Sequence, residues 1–148
     1  MSGFNVRVYG ILIENNQLLV SDEYIKGHNI TKLPGGGLEY GEGTIECLIR
    51  EFKEELDLDI EVLSHFYTTD FFVNSAFSSK NQVISIYYKV KATSELNFKT
   101  STKPFDFEKV KEGAQSMRWI NSSTVSDNDF TFIIDKRIAE MLNESKLF

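Results

Sequence analysis

The sequence predicts an α+β fold in which a mixed β-sheet lies between two amphipathic helices, within one domain spanning residues 1–148. Alternating apolar and β-branched residues at Val6–Ile13 and Gln82–Ala92 are typical of strands. Apolar residues recur at helical spacing in Gly36–Leu58 and again in Phe130–Leu147. A chain of 148 residues can bury one core of its own, and neither a linker nor an internal repeat divides it.

The N-terminal part is predicted to form a hairpin followed by a loop. Val6–Ile13 is the first strand, and Glu14–Gln17 is a turn whose asparagines tolerate positive φ. Leu18–Val20 returns as the second strand. Asp22–Thr31 is mostly polar and contains Gly27, so we expect a loop there.

A glycine-rich stretch, Lys32–Gly37, leads into the first helix. Its three consecutive glycines let the backbone approach a ligand closely. The helix begins near Thr44, whose hydroxyl is suited to an N-cap. At ~100° per residue, four apolar side chains share one narrow stripe. We therefore expect the buried face to consist of Ile45, Ile49, Phe52 and Leu56.

The same helix gathers carboxylates on another face. Glu51, Glu54 and Glu55 are spaced i, i+3 and i+4, where like charges cost a few tenths of a kcal/mol per pair. Mg²⁺ would offset this repulsion because it takes oxygen ligands in octahedral geometry, and Mn²⁺ suits similar ligands. Judged from the helix alone, the alternative is a solvated acidic face.

The second half of the chain is predicted to contain further strands and a final helix. Ile60–Val73 is a strand with a bend in its middle, and Gln82–Ala92 alternates clearly. Thr93–Gly113 is a long charged loop, and Ser116–Asn121 is a short strand. The helix in Phe130–Leu147 buries one face, made of Ile134, Ile138, Met141 and Leu142.

Charge and composition exclude several functional classes. The formal net charge is −6, and Gly36–Leu58 contributes most of it, with seven acids against two basic residues. This argues against a long nucleic acid as partner, which needs a basic surface. No run approaches the ~18 apolar residues of a membrane span. Cys47 is the only cysteine, and we expect it to be a buried small apolar residue. Together with the absence of a signal sequence at Met1–Asn5, it predicts a cytoplasmic protein.

The stretch Gly36–Leu58 closely resembles the signature motif of the Nudix hydrolases, the Nudix box. Leu33–Gly35 and Leu38–Glu39 also resemble the lead-in to that motif. The matching box residues are Gly36, Glu42, Arg50, Glu51, Phe52, Glu54, Glu55 and Leu58. Asp57 departs from the family, which has glycine there. Aspartate visits the left-handed region with tolerable strain, so we interpret Asp57 as a helix cap costing about 1 kcal/mol or less.

The resemblance implies a Nudix-like α/β/α sandwich that hydrolyses a pyrophosphate bond in a small-molecule nucleotide. The implied substrate is a nucleoside diphosphate linked to another moiety, of the nucleotide-sugar or nucleoside-triphosphate type. The implied cofactor is Mg²⁺ or Mn²⁺. The implied metal-binding residues are Glu51, Glu54 and Glu55, together with the carbonyl of Gly35, for which Gly36 is the other candidate.

The resemblance also assigns catalytic and substrate-binding residues. Glu51 is either a metal ligand or the base that deprotonates water, and it joins Glu54 and Arg50 in the implied catalytic group. Arg50 would hold the carboxylate of Glu51 or of Glu42. The implied substrate-binding residues are Gly36, Gly37 and Glu42.

Two other functional classes stay open at the level of sequence. One is a catalytically inactive nucleotide-binding or regulatory module of the same fold, against which three retained, mutually repelling acids argue. The other is an isomerase acting on a prenyl diphosphate, which would need a cysteine in its pocket, and Cys47 is poorly placed within the helix. Arg7, Lys26 and Lys32 are candidate phosphate contacts or solvated charges, and a homodimer is left open.

Overall fold

The computed structural model describes residues 2–145 and confirms an α+β fold with a mixed sheet and two α-helices. The helices are α1 (Thr44–Leu56) and α2 (Ile133–Ser145), and a short 3₁₀ helix covers Asp127–Asp129. The strands are β1 (Gly3–Glu14), β2 (Gln17–Ile25), β3 (His28–Lys32), β4 (Gly35–Gly37), β5 (Ile60–Thr68), β6 (Asn74–Ser75), β7 (Ser78–Ala92), β8 (Thr100–Ser101) and β9 (Gln115–Asn121). Among the described residues no helix is both long and apolar enough to span a membrane.

The chain divides into two compact units. The first consists of the described residues up to Ile11 and of Gly35–Asn97, and the second of Leu12–Pro34 and the described residues from Phe98 onward. The prediction of one domain over residues 1–148 stays a prediction.

In the first unit, strands β5, β7 and β1 are neighbours, β4 pairs with β1, and β6 pairs with β7. The predicted bend in the Ile60–Val73 segment lies where the β5–β7 register shifts, between Val62 and Ser64 and between His65 and Tyr67. The strand ends at Thr68.

Helix α1 packs in the first unit with a different face from the predicted one. Its buried residues are Cys47, Leu48, Phe52 and Leu56. Ile45 and Ile49 were expected to be buried, which is wrong, since they are 46% and 42% exposed. The reason is that the buried face changes along the helix. Its first half contacts β4 through Cys47, whose thiol donates to the carbonyl of Gly37. Its second half packs through Phe52 on Gly10, where an added Cβ would lie 2.7 Å from the Phe52 ring.

In the second unit, β2 lies between β3 and β9, and β8 adds to β9. The β8–β9 pair is parallel whereas β2 pairs antiparallel with both neighbours, so the sheet is mixed. The predicted hairpin at Glu14–Gln17 is confirmed, because Ile13 pairs with Leu18 and the two asparagines of the turn have φ of 50° and 63°.

The prediction of a loop at Asp22–Thr31 is wrong. These residues form most of a second hairpin, β2–β3, whose turn is made by Lys26 (φ 49°) and Gly27 (φ 79°). The loop was predicted because the segment is mostly polar, and polar side chains are usually exposed. In the structure Asp22, Thr31 and their neighbours Ser21 and Lys32 are buried and bonded to other polar groups.

Helix α2 confirms the predicted C-terminal helix but starts at Ile133. Ile134, Ile138 and Leu142 are buried as predicted, whereas Met141 is only half-buried. The last predicted helical residues, 146 and 147, lie outside the described residues.

Candidate functional site

Strand β4 forms a glycine corner against β1, with Gly35 paired to Tyr9, Gly36 to Val8 and Gly37 to Arg7. Gly35 has a φ of 149°, and a Cβ there would overlap the main-chain carbonyl of Val8. A Cβ on Gly36 would overlap the carboxyl group of Glu51. Glycine is therefore required at Gly35, whereas at Gly36 the missing Cβ leaves room for an acidic side chain against the backbone.

Arg50, on α1, is the centre of the acidic cluster. Its Nε–H and Nη2–H donate to the two oxygens of Glu42 at 2.9 and 2.7 Å. Its Nη1–H donates to Glu51 Oε1 at 2.9 Å and to Glu54 Oε2 at 3.1 Å. Nη2–H also donates to the carbonyl of Gly37 at 3.2 Å, which ties the helix to the glycine corner. The prediction that Arg50 holds Glu51 or Glu42 is thus met by both.

The charges around Arg50 do not balance. A fourth carboxylate, that of Glu39, lies 3.7 Å from Nη1. Hydrogen bonds from Arg50, supplemented by the backbone N–H of Glu39, lower the pKa of Glu42 to about 2. The bond to Glu42 in turn raises the pKa of Arg50. One guanidinium therefore faces four carboxylates, and the cluster has a surplus of negative charge.

The implied metal ligands differ in burial. Glu51 is 13% exposed and lies against Gly36, whereas Glu54 is 60% exposed. Both accept from the same nitrogen of Arg50, so their carboxylates are neighbours. Glu55 is exposed on the next helical position. Within residues 2–145 the side chains of His, Cys, Asp and Glu form no preassembled group of three or more for a metal ion.

The donor chemistry nevertheless fits a hard divalent cation. Glu51 and Glu54 supply carboxylate oxygens one turn apart, and the bare backbone at Gly36 leaves room beside them. Mg²⁺ is commonly held by one or two carboxylates with its other positions taken by water and phosphate. The full set Gly35, Glu51, Glu54 and Glu55 stays a prediction.

The two ends of α1 have defined geometry. The predicted cap at Thr44 is wrong: the N-cap is Gly43, whose N–H donates to Glu46 Oε1 at 2.9 Å, and Thr44 is the first helical residue. At the other end Asp57 has φ 50° and ψ 39°, in the left-handed region. Its N–H donates to the carbonyl of Lys53 at 3.0 Å. Asp57 therefore occupies the conformation that a glycine would take, as predicted.

Cys47 is buried in α1, as predicted. Burial is the main cause that raises the pKa of its thiol to about 12. The thiol donates to the carbonyl of Gly37 at 3.5 Å. A protonated, enclosed thiol is not a nucleophile at neutral pH, which argues against the isomerase alternative.

The sequence did not indicate a second polar region, in the β2–β3–β9 sheet. Arg118 on β9 donates from Nε and Nη2 to the two oxygens of Asp22, at 2.8 and 3.0 Å. On the other side of β2, Glu23 and Lys32 form an ion pair at 3.4 Å. Asp22 and Glu23 are neighbours on strand β2, so their side chains point to opposite faces of the sheet. The sequence shows this alternation only if the segment is read as a strand.

Comparisons with known proteins bear on the family and the fold. A family model described as NUDIX domain matches residues 3–136. The solution structure of the Escherichia coli ORF135 protein is 14% identical and has a TM-score of 0.73, covering 99% of this chain and 94% of that one. A MutT protein from Methanosarcina mazei Go1 is also 14% identical, with a TM-score of 0.71 and coverage of 99% and 98%. An ADP-ribose pyrophosphatase from Streptococcus suis 89-1591 is 15% identical, with a TM-score of 0.61 and coverage of 97% and 92%. At these identities the structural likeness shows the fold.

Proposed function

Because this chain belongs to the Nudix family and is a pyrophosphohydrolase of that family, we propose that it cleaves nucleoside diphosphates linked to another moiety. The proposed substrates are nucleotide sugars or nucleoside triphosphates, and the proposed cofactor is Mg²⁺ or Mn²⁺. Similar structures named ADP-ribose pyrophosphatase and UDP-X diphosphatase support a substrate of this kind. The cytoplasmic location predicted from the single cysteine belongs to the same proposal.

The observation that carries this proposal is the surplus of carboxylates around Arg50. A diphosphate is anionic, so a site made of Glu42, Glu51 and Glu54 would repel it unless a cation intervened. A divalent cation at these oxygens supplies positive charge against the phosphates and lowers the pKa of water. The negative surplus is therefore expected in a metal-dependent hydrolase.

The chain's own residues then have separate roles. Arg50 fixes the directions of the Glu51 and Glu54 carboxylates through its Nη1. Either carboxylate can take a proton from the attacking water once that water lies within hydrogen-bond reach. Glu42 anchors Arg50 by a bidentate pair, and Gly36 keeps the backbone open beside Glu51. Contacts of Gly36, Gly37 and Glu42 with substrate are part of the proposal.

The proposal is tested with purified protein, MgCl₂ and a panel that includes ADP-ribose, UDP- and GDP-linked sugars and the nucleoside triphosphates. We expect cleavage of at least one class, with loss of cleavage when the cation is chelated. Absence of cleavage across the panel would instead favour the inactive nucleotide-binding module.

A further inference from the structure

A second group of polar side chains converges on Glu23 in the β2–β3–β9 sheet. Glu23 Oε2 accepts hydrogen bonds from Ser21 Oγ at 2.8 Å and from Gln115 Nε2 at 3.4 Å, and it forms an ion pair with Lys32 Nζ at 3.4 Å. Gln115 Nε2 also donates to Ser21 Oγ at 2.9 Å. We refer to Ser21, Glu23, Lys32 and Gln115 as the Glu23 cluster.

Strand register explains why the Glu23 cluster forms. Ser21 and Glu23 are two residues apart on β2, so their side chains point to the same face. Lys32 on β3 pairs with Ser21, and Gln115 on β9 pairs with Glu23. Three neighbouring strands of one unit therefore present these four side chains together.

Burial makes the Glu23–Lys32 pair expensive. The side chain of Lys32 is 8% exposed and that of Glu23 is 14% exposed. Removing two charges from water costs about as much as their attraction returns, and apolar residues of similar size often serve stability equally well. The pair therefore calls for an explanation other than stability.

The two oxygens of Glu23 are used unequally. All three donors contact Oε2, and no other described residue donates to Oε1. Among the described residues no fully buried side-chain oxygen lacks a partner, so Oε1 reaches the surface of the cluster. Asp22, one residue earlier, differs: each of its oxygens accepts two hydrogen bonds. Glu23 thus presents one acceptor outward beside an ammonium group.

The acceptor of Glu23 and the ammonium group of Lys32 restrict the kind of ligand that can bind here. A phosphate would meet the charge of Glu23, and a cation would meet that of Lys32, because the pair is neutral as a whole. A neutral group with an N–H next to an oxygen acceptor satisfies both, since Oε1 accepts and an ammonium donates. Nucleobases carry such edges, and a lysine commonly donates to a base carbonyl such as guanine O6.

We propose that the Glu23 cluster binds the edge of a nucleobase that has a ring N–H beside a carbonyl, as guanine and uracil have. The ring N–H donates to Glu23 Oε1, and Lys32 donates to the neighbouring carbonyl. Adenine and cytosine lack this ring N–H and bind less well. The choice of a nucleobase rests on the proposed function, whereas the preference among bases rests on the cluster itself.

The test is calorimetric titration of the full chain with GMP, UMP, AMP and CMP, which contain no pyrophosphate bond. We expect GMP or UMP to bind at least about tenfold more tightly than AMP and CMP, the value of one good hydrogen bond to a charged group. With unaltered protein, 1-methyl-GMP should bind about tenfold more weakly than GMP, because its ring N–H is blocked. This comparison needs no variant to fold.

Substitutions in the Glu23 cluster test whether nucleotide binding occurs there. Glu23→Gln and Lys32→Met should each weaken GMP or UMP binding about tenfold or more. The matched control Glu61→Gln removes an exposed carboxylate, on β5, and should leave binding unchanged. Equal binding of all four nucleotides, of GMP and 1-methyl-GMP, or of wild type and Glu23→Gln would overturn the proposal. So would the absence of binding by any monophosphate. Cation-dependent cleavage of the panel would still stand in any of those cases, so the two proposals fail separately.

Discussion

Arg50 and Arg118 are both held by carboxylates, but their surroundings differ in charge. Arg118 forms a bidentate pair with Asp22 alone among the described residues, and Asp22 is fully buried. Arg50 is half-buried and faces the carboxylates of Glu39, Glu42 and two further glutamates. The charge of Arg118, in the second unit, is therefore balanced by one carboxylate, whereas that of Arg50, in the first unit, faces four.

The carboxylates that hold the two arginines also differ in their hydrogen bonds. Asp22 also accepts from Thr31 Oγ1 at 2.7 Å and from the N–H of Phe105 at 3.2 Å, so neither of its oxygens lacks a donor. The bond from Phe105 connects strand β2 to a loop residue whose backbone is in the left-handed region, with a φ of 54°. Such a saturated pair connects strands and a loop. The unbalanced cluster at the glycine corner instead has surplus carboxylate oxygens and negative charge, which the proposed cation would neutralise.

The largest expected effect concerns activity. Glu51→Gln and Glu54→Gln should each lower kcat/KM by about 10²–10⁴-fold, because each removes a charged oxygen that the proposed mechanism needs. Circular dichroism and thermal melting should show an intact fold, since the repulsion among the carboxylates falls. Glu61→Gln is the control for the loss of one acidic charge and should retain activity. Turnover at the wild-type level in both variants would show that the Arg50 cluster, made of Arg50 with Glu39, Glu42, Glu51 and Glu54, has no part in the mechanism.

The balanced pair should respond in stability. Arg118→Met leaves the buried carboxylate of Asp22 without its partner and should lower the free energy of unfolding by about 3–5 kcal/mol. The measurement is urea denaturation. Arg137→Met provides the comparison, because the Arg137–Glu140 pair is half-exposed and should contribute less than about 1 kcal/mol. Similar losses in the two variants would contradict the distinction between the pairs.

The pH dependence of stability should reveal the Arg50–Glu42 pair. The pKa of Glu42 falls from 4.5 to about 2 in the folded protein, so its charged form is the one that folding stabilises. This contribution is complete above pH 4.5 and is lost as the pH falls towards 2. We expect the stability difference between wild type and Glu42→Gln to shrink across that interval.

The same pH dependence can be measured in a protein that lacks the Arg50 guanidinium. In Arg50→Met the main cause of the shift is absent, so adding Glu42→Gln should make little difference to the pH profile. A constant difference between wild type and Glu42→Gln from pH 6 to pH 2 would show that the pair does not stabilise the fold.

The smallest expected effect lies at the end of the helix that carries Arg50. Asp57→Gly should raise the free energy of unfolding by about 0.5 kcal/mol, because glycine adopts positive φ without steric cost. The lost contact with Lys53 is exposed and contributes little. Asp57→Ala should lower stability by about 1 kcal/mol. If glycine destabilised the protein as much as alanine, Asp57 would have a role beyond the backbone conformation.

Much of the Arg50 cluster was predictable because its signals are local. Gly36, Arg50 and the acids of α1 lie in one short window, where helical spacing brings them together. The buried Asp22–Arg118 pair depends on β2 meeting β9, and 95 residues separate its two members along the chain. The exposure of Ile45 and Ile49 depends on which side of α1 faces Gly10 and Gly37, the contacts of Phe52 and Cys47. Neither the pairing of distant strands nor the tertiary contacts of a helix can be read from the periodicity of its sequence.

The central claim is that the carboxylates around Arg50 hold a divalent cation. Electron paramagnetic resonance of Mn²⁺ titrated into the protein measures this directly, without requiring turnover. We expect the double variant Glu51→Gln/Glu54→Gln to bind Mn²⁺ at least about tenfold more weakly than wild type, while Glu61→Gln binds it as wild type does. Unchanged Mn²⁺ affinity in the double variant would contradict it.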